Sequence, residues 1–323
     1  MGSNTKWIES RPDESARKVA RRALAHHLAR MWHYLELSVC ETPQDTENVH
    51  QLRVFSRRAT AVMDTFAQCA PQRRGAALVR RLKQVRKAAG AARDCDVLLL
   101  RWSEHVRHTP SSHAALLLEQ IKRHRQTMQE PIEAVHRKLT RKQFARKAKK
   151  LIKRFRRSGA RGGCGEQFRC FARVAFGQLV GPFLRAADGP LEDAAAMHAF
   201  RIQSKQVRYA MEIFGGAFDE EFRTQAYRLV ETLQDRLGAI NDHVTAQTYF
   251  AAWHSAAESA AVRAALEMGI EREQQDLEAG RREFFAWWTP ARREELSRRF
   301  ERYINIETGE QPPTAHCDRP LGP

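Results

Sequence analysis

His50-Gln-Leu-Arg53-Val-Phe-Ser56-Arg57 and His198-Ala-Phe-Arg201-Ile-Gln-Ser204-Lys205 read as one stretch written twice in a chain of 323 residues. An offset of 148 separates the two histidines. Held without a gap, the same offset lays Met63 on Met211, Phe66 on Phe214, Arg80 on Arg228, Gly90-Ala91 on Gly238-Ala239 and Asp94 on Asp242, giving nine identities over 45 positions. Apolar periodicity alone does not match His, Arg, Ser, Gly and Asp, so the pattern implies a duplicated structural unit.

The unit is helical. His50, Arg53 and Arg57 lie at offsets of three and seven, on one face of a helix. His198, Arg201, Lys205 and Arg208 repeat that face at offsets of three, seven and ten. A row of like charges weakens a helix in isolation, and its usual fate is a solvated surface. Its repetition beside apolar Leu52, Val54, Phe200 and Ile202 argues for a bound polyanion instead. Arginine forks onto phosphate oxygens, lysine adds a point charge, and histidine adds a donor. Gly90 and Gly238 fit helix-ending C′ positions, with Asp94 and Asp242 capping the next helix; pairing of the aspartates with the basic rows is the alternative.

Nearly every other segment is amphipathic. The spacing predicts helices over 15–40, 46–70, 71–89, 94–106, 111–157 (restarting or kinking at Pro131), 166–186, 191–214, 219–237, 242–258 and 260–305. No segment alternates as a strand does, so the expectation is an all-α chain of two antiparallel helical bundles. The expected divisions are a disordered N-terminus over 1–11, a first bundle over 12–157, a glycine-rich linker over 158–165, a second bundle over 166–306, and a disordered tail over 307–323.

The formal net charge is +17. Residues 1–162 hold 36 Lys/Arg against 14 Asp/Glu, and residues 163–323 hold 19 against 24, so the positive field belongs to the first half. Six cysteines without a CxxC pair read as mostly reduced thiols. There is no apolar leader and no run of about eighteen apolar residues, which fits a cytoplasmic protein without a membrane span. Apolar helix faces can serve a core or a homo-oligomer interface, and composition does not separate the two.

The doubled H-x-[LF]-R-[VI]-x-x-[RK] helix and the later L-x-x-x-x-x-x-G-x-x-x-D segment resemble the CHAD domain (conserved histidine α-helical domain) over about residues 12–305. The resemblance implies two four-helix bundles related by a pseudo-twofold axis, with a basic central cleft that binds inorganic polyphosphate. It nominates His50, Arg53, Arg57 and Arg58 in the first copy, and His198, Arg201, Lys205 and Arg208 in the second. Lys83, Arg86 and Arg93 join them as basic residues of the next helix. The copies differ: Thr60 stands opposite Arg208, and Lys83 and Arg86 stand opposite Glu231 and Gln234. Relatives are often joined to triphosphate tunnel enzymes. No N-terminal ExExK pattern is present, so the expectation is a non-enzymatic binder without a cofactor, with polyphosphate granules as a location.

Two rival readings remain in the sequence. Residues 137–161 carry 13 Lys/Arg and no acid, a run suited to polyphosphate, to non-specific nucleic-acid contact or to an anionic membrane surface. Glu47-x-x-His50 and Glu133-x-x-His136 match half of a di-iron four-helix site. The repeat replaces Glu47 with Ala195, so that reading is remote.

Overall fold

The computed structural model describes residues 6–40, 46–155 and 167–304. They form α1 (Ala16–Cys40), α2 (Thr46–Thr65), α3 (Gln72–Ala88), α4 (Gly90–His108), α5 (Ser112–Thr127), α6 (Gln129–Arg141), α7 (Phe144–Lys153), α8 (Phe168–Ala187), α9 (Ala194–Phe214), α10 (Tyr227–Ala256), α11 (Ala260–Trp287) and α12 (Pro290–Ile304). The fold is all-α, as expected. Among the described residues no strand occurs, and an isolated antiparallel bridge joins Ser15 to Gln167. The expected linker, the tail beyond 307 and the end of the basic run lie outside the described residues.

Local chemistry sets several helix starts. Ser111 accepts from the Ala114 amide at 3.0 Å, and Asp193 accepts from the Ala196 amide at 2.8 Å. The expected single helix over 260–305 is broken, because Pro290 is the first residue of α12 and Thr289 accepts from the Arg292 amide at 3.3 Å. The expected helix over 111–157 is three helices. It breaks at Met128 and again at Gln143, whose φ of 53° is left-handed. Pro131 falls in the first turn of α6, where its missing N–H removes no helical bond.

The repeat offset carries Thr46–Thr65 onto 194–213, and α9 occupies Ala194–Phe214. It also carries α3 and α4 onto α10. There the glycine reading needs correction. α10 runs through Gly238 without a break, and α3 passes into α4 with only Ala89 between them. Gly90 does follow the α3 C-cap Ala89, but it opens α4 without a left-handed φ; Gly238 ends no helix, and neither aspartate caps one, because Asp94 and Asp242 lie inside α4 and α10.

The two halves share their packing. One core runs from Ala16 and Val19 of α1 to Leu296 and Phe300 of α12. Phe66, after α2, stacks on Phe171 of α8 with ring centroids 4.7 Å apart. Phe214, Phe222 and Phe300 meet the ring of Phe176 edge to face. A second core joins Leu98 and Trp102 of α4 and Ile121 of α5 to Phe250 of α10 and Leu266 of α11. Buried Glu273 of α11 ties this region together, accepting from Trp102 Nε1 at 3.1 Å and from Arg101 Nη2 at 2.5 Å. The expected division into separate first and second bundles therefore gives way to halves that interlock at α4, α5, α10 and α11.

The expected disordered N-terminus is also corrected over residues 6–11. Lys6 Nζ donates to Glu231 at 2.7 Å, Trp7 meets the ring of Tyr227 at 4.7 Å, and Ile8 is buried. A Cβ on Gly216 would lie 2.2 Å from the Ser10 carbonyl oxygen, so glycine is what lets this strap lie down. The Phe168 amide donates to Glu14 O and the Arg169 amide to Pro12 O, fastening the strap to the start of α8. Cys69 is disulfide-bonded, an exception to the expected mostly reduced thiols, whereas Cys95 and Cys170 are free.

Candidate functional site

α2 and α9, the two repeated helices, pack against each other. Between them, with α3 and α8 as further walls, opens a cleft of about 650 Å³. Arg57 of α2, Arg86 of α3, and His198, Arg201 and Lys205 of α9 line it. Arg57 of the first-copy row thus shares one space with His198, Arg201 and Lys205 of the second.

The cations crowd each other. The charge of Arg57 falls on His50, Arg53, Arg86, Arg201 and Lys205. Burial, reinforced by Arg57 and Arg201, draws the Lys205 ammonium down to about 7. Burial and then Arg93 lower His50. Burial and Arg57 also lower Arg53, Arg86 and Arg201, although a guanidinium stays charged. Among the described residues, Arg53, Arg57, Arg86, Arg201 and Lys205 have no carboxylate within ion-pair distance. The Nε of Arg201 is buried without a hydrogen-bond partner there. Asp94 and Asp242 lie farther off. Asp94 raises Arg53 and Arg201, and Asp242 raises Arg201 and Lys205, each partly offsetting the effect of burial. The aspartates thus act on the basic rows at a distance, without the salt bridges that the alternative reading expected.

The differences between the copies have a geometric explanation. Arg86 Nη1 donates to Thr60 Oγ1 at 3.2 Å. In the second copy Arg208 stands at the Thr60 position and Gln234 at the Arg86 position. The second copy therefore carries an arginine on α9 where the first carries one on α3. Arg208 lies over the Tyr209 ring at 5.1 Å. Burial works against its charge, but Tyr209 and Glu212 outweigh that and raise it.

His50, Arg53 and Arg93 adjoin the cleft. Arg53 Nη1 donates to the Arg86 carbonyl at 3.3 Å, over Gly90, where a Cβ would stand 3.1 Å from that nitrogen. A Cβ on Gly238 would meet nothing within 4 Å. Arg208, Arg58 and Lys83, all nominated, are outside the lining. Arg58, one position and so about 100° round the helix from Arg57, donates from Nε to Glu212 Oε2 at 2.7 Å. Glu212 also accepts from Tyr227 Oη at 2.9 Å. Lys83 is exposed on α3 and outside the lining. Sequence reasoning did not single out Tyr209, Gln178 and Asp64, which also line the cleft. Asp64 was findable, because the repeat offset lays it on Glu212, another acid.

The di-iron alternative finds no geometry. Among the described residues no three His, Cys, Asp or Glu side chains converge to hold a metal. Glu47 accepts from Gln51, and Glu133 from Arg137. No described helix is long and apolar enough to cross a membrane.

The sequence profile of the CHAD domain matches residues 22–251. The crystal structure of the CHAD domain from the plant Ricinus communis superposes with a TM-score of 0.68 at 22% identity, covering 93% of this chain and 97% of that one. PptA from Streptomyces chartreusis superposes with a TM-score of 0.60 at 17% identity, covering 88% and 100%. No curated protein sequence is significantly similar to this chain. These structural likenesses speak to the fold, and the profile match, spanning well over half of the chain, places it in the CHAD-domain family.

Proposed function

We propose that this chain binds inorganic polyphosphate in the cleft between α2 and α9, without a chemical step. The observation that carries the reading is the convergence of Arg57, Arg86, Arg201 and Lys205, from both copies, on one space where no described carboxylate pairs with them. Such an array repels itself in the empty protein and is relieved by a ligand with closely spaced negative charges. A linear phosphate polymer has those charges and no bases to accommodate. The lining offers a buried Tyr209 ring and the His198 imidazole, a small stacking surface beside its four cations. Recruitment to polyphosphate granules would follow from this binding.

The second reading, a general polyanion binder, is favoured by the exposed cations of α7 at Arg146, Lys147, Lys149 and Lys150. Long-chain polyphosphate, duplex DNA and single-stranded DNA, compared at equal charge concentration and about 150 mM salt, separate the two. The cleft reading expects strong polyphosphate binding and weak binding of both DNAs. Within it, Arg53→Ala or Arg201→Ala should weaken polyphosphate about tenfold, or about 1.4 kcal/mol. Each should also lower the salt slope by about one unit. Unchanged affinity and slope in both variants would overturn it.

A further inference from the structure

A second basic concavity lies between α3 and α7. Arg74 and Arg81, two turns apart on one face of α3, look across a pocket of about 340 Å³ at Arg146, Lys147, Lys150 and Arg154. The pocket shares no residue with the cleft. Leu78, Ala148 and Leu151 supply its apolar lining.

This is more than a solvated charged face. Some exposed arginines elsewhere are paired within a helical turn, as in Arg137 with Glu133 and Arg272 with Asp276, whereas others such as Arg107 and Arg298 stand alone among the described residues. Among the described residues none of the six pocket cations has a carboxylate in reach. α7 has ten residues, too few to stand as a helix alone, and its like charges at i, i+3 and i, i+4 work against it. Phe144, Ala148 and Leu151 hold it on the core, with Trp32 stacked on Phe144 at 5.7 Å. The fold therefore holds the cations of α7 opposite those of α3 at an electrostatic cost.

The lining also narrows the ligand. The apolar face of α7 is turned into the core, so it is not free to enter a bilayer. No aromatic side chain lines the pocket, so it has no aromatic platform for a base. A compact, multiply charged anion without a base fits both facts.

We propose that the α3–α7 pocket is a second anion site that holds a short run of consecutive phosphate groups. Their source is either a free oligophosphate or a segment of a longer polymer.

The test is titration of inorganic tripolyphosphate into the full chain, its pocket variant (Arg81→Gln with Lys150→Gln) and a cleft variant (Arg57→Ala with Lys205→Ala). The cleft variant should keep one site per chain, and the pocket variant should lose that site by at least tenfold. A pocket variant that titrates like the unaltered chain overturns the proposal while leaving the cleft reading untouched. Should the variant misfold, protection of Lys147 and Lys150 from amine acetylation by tripolyphosphate is read on the unaltered chain, and absence of protection overturns the proposal. With long-chain polyphosphate, a drop in phosphates bound per pocket-variant chain identifies the polymer as the source. An unchanged number, beside the lost tripolyphosphate site, identifies the free oligophosphate.

Discussion

Lys205 carries the clearest pH signature of the cleft. Its folded value near 7 lies below the ordinary 10.5, because burial and the neighbouring Arg57 disfavour its charge. Between those values the unfolded chain binds more protons than the folded one, so this residue makes the free protein gain stability as pH rises from about 7 to 10.5. Anion binding acts oppositely, since it favours the charged amine. Polyphosphate binding at pH 8 should take up a proton, measurable as a dependence of calorimetric heat on the buffer's ionisation enthalpy. Affinity should weaken as pH rises through that window. Lys205→Arg, which stays charged, should abolish the uptake. Arg58 predicts something different. Its partner Glu212 is 3% exposed, so Arg58→Ala strands a buried carboxylate and should cost about 3 kcal/mol in denaturant unfolding while leaving polyphosphate affinity intact. A loss of affinity without a loss of stability would contradict that placement. The contrast between Arg57 and Arg58 shows why site residues were only partly legible. The sequence shows two adjacent arginines, and which one meets an acid more than 150 residues away is a tertiary fact.

At the scale of elements, the paired glycines make a sharper test than they did a motif. Alanine favours a helix over glycine by about 1 kcal/mol. Gly238 lies inside α10 with open space beside it, so Gly238→Ala should stabilise the protein by up to that amount. Gly90→Ala places its methyl 3.1 Å from Arg53 Nη1, so it should displace the guanidinium and weaken anion binding. Thermal melts and a polyphosphate titration of the two variants separate these outcomes. The helices themselves were legible because apolar residues recur at helical spacing. Glycine followed four positions later by aspartate imitates a helix end and a new cap. Here packing on α4, α9 and α11 carries α10 straight through, and at Gly90 the missing side chain makes room for Arg53. The exchange of Thr60 with Arg86 for Arg208 with Gln234 was visible as mismatches in the repeat.

The strap over residues 6–14 fastens the whole molecule. Lys6, Trp7 and Ile8 lie against the second half, and the main chain at Pro12 and Glu14 holds the start of α8. Removing Trp7 and Ile8 by double alanine substitution should cost about 2–4 kcal/mol, judged from buried large-to-small changes. The loss should appear as an earlier denaturant midpoint, and an unshifted midpoint would show the strap to be idle. The interlocked halves were hidden from the sequence because the glycine-rich break suggested a boundary, whereas Trp102, Arg101 and His243 meet on Glu273 across the halves. The strap has one more consequence, for synthesis. Lys6 leaves the ribosome 225 residues ahead of its partner Glu231. At about 5–20 residues per second that is a wait of roughly 10–45 seconds. The nascent chain must keep Trp7 and Ile8 uncommitted for that time, so an amino-terminal fusion burdens the last step of folding more than the first.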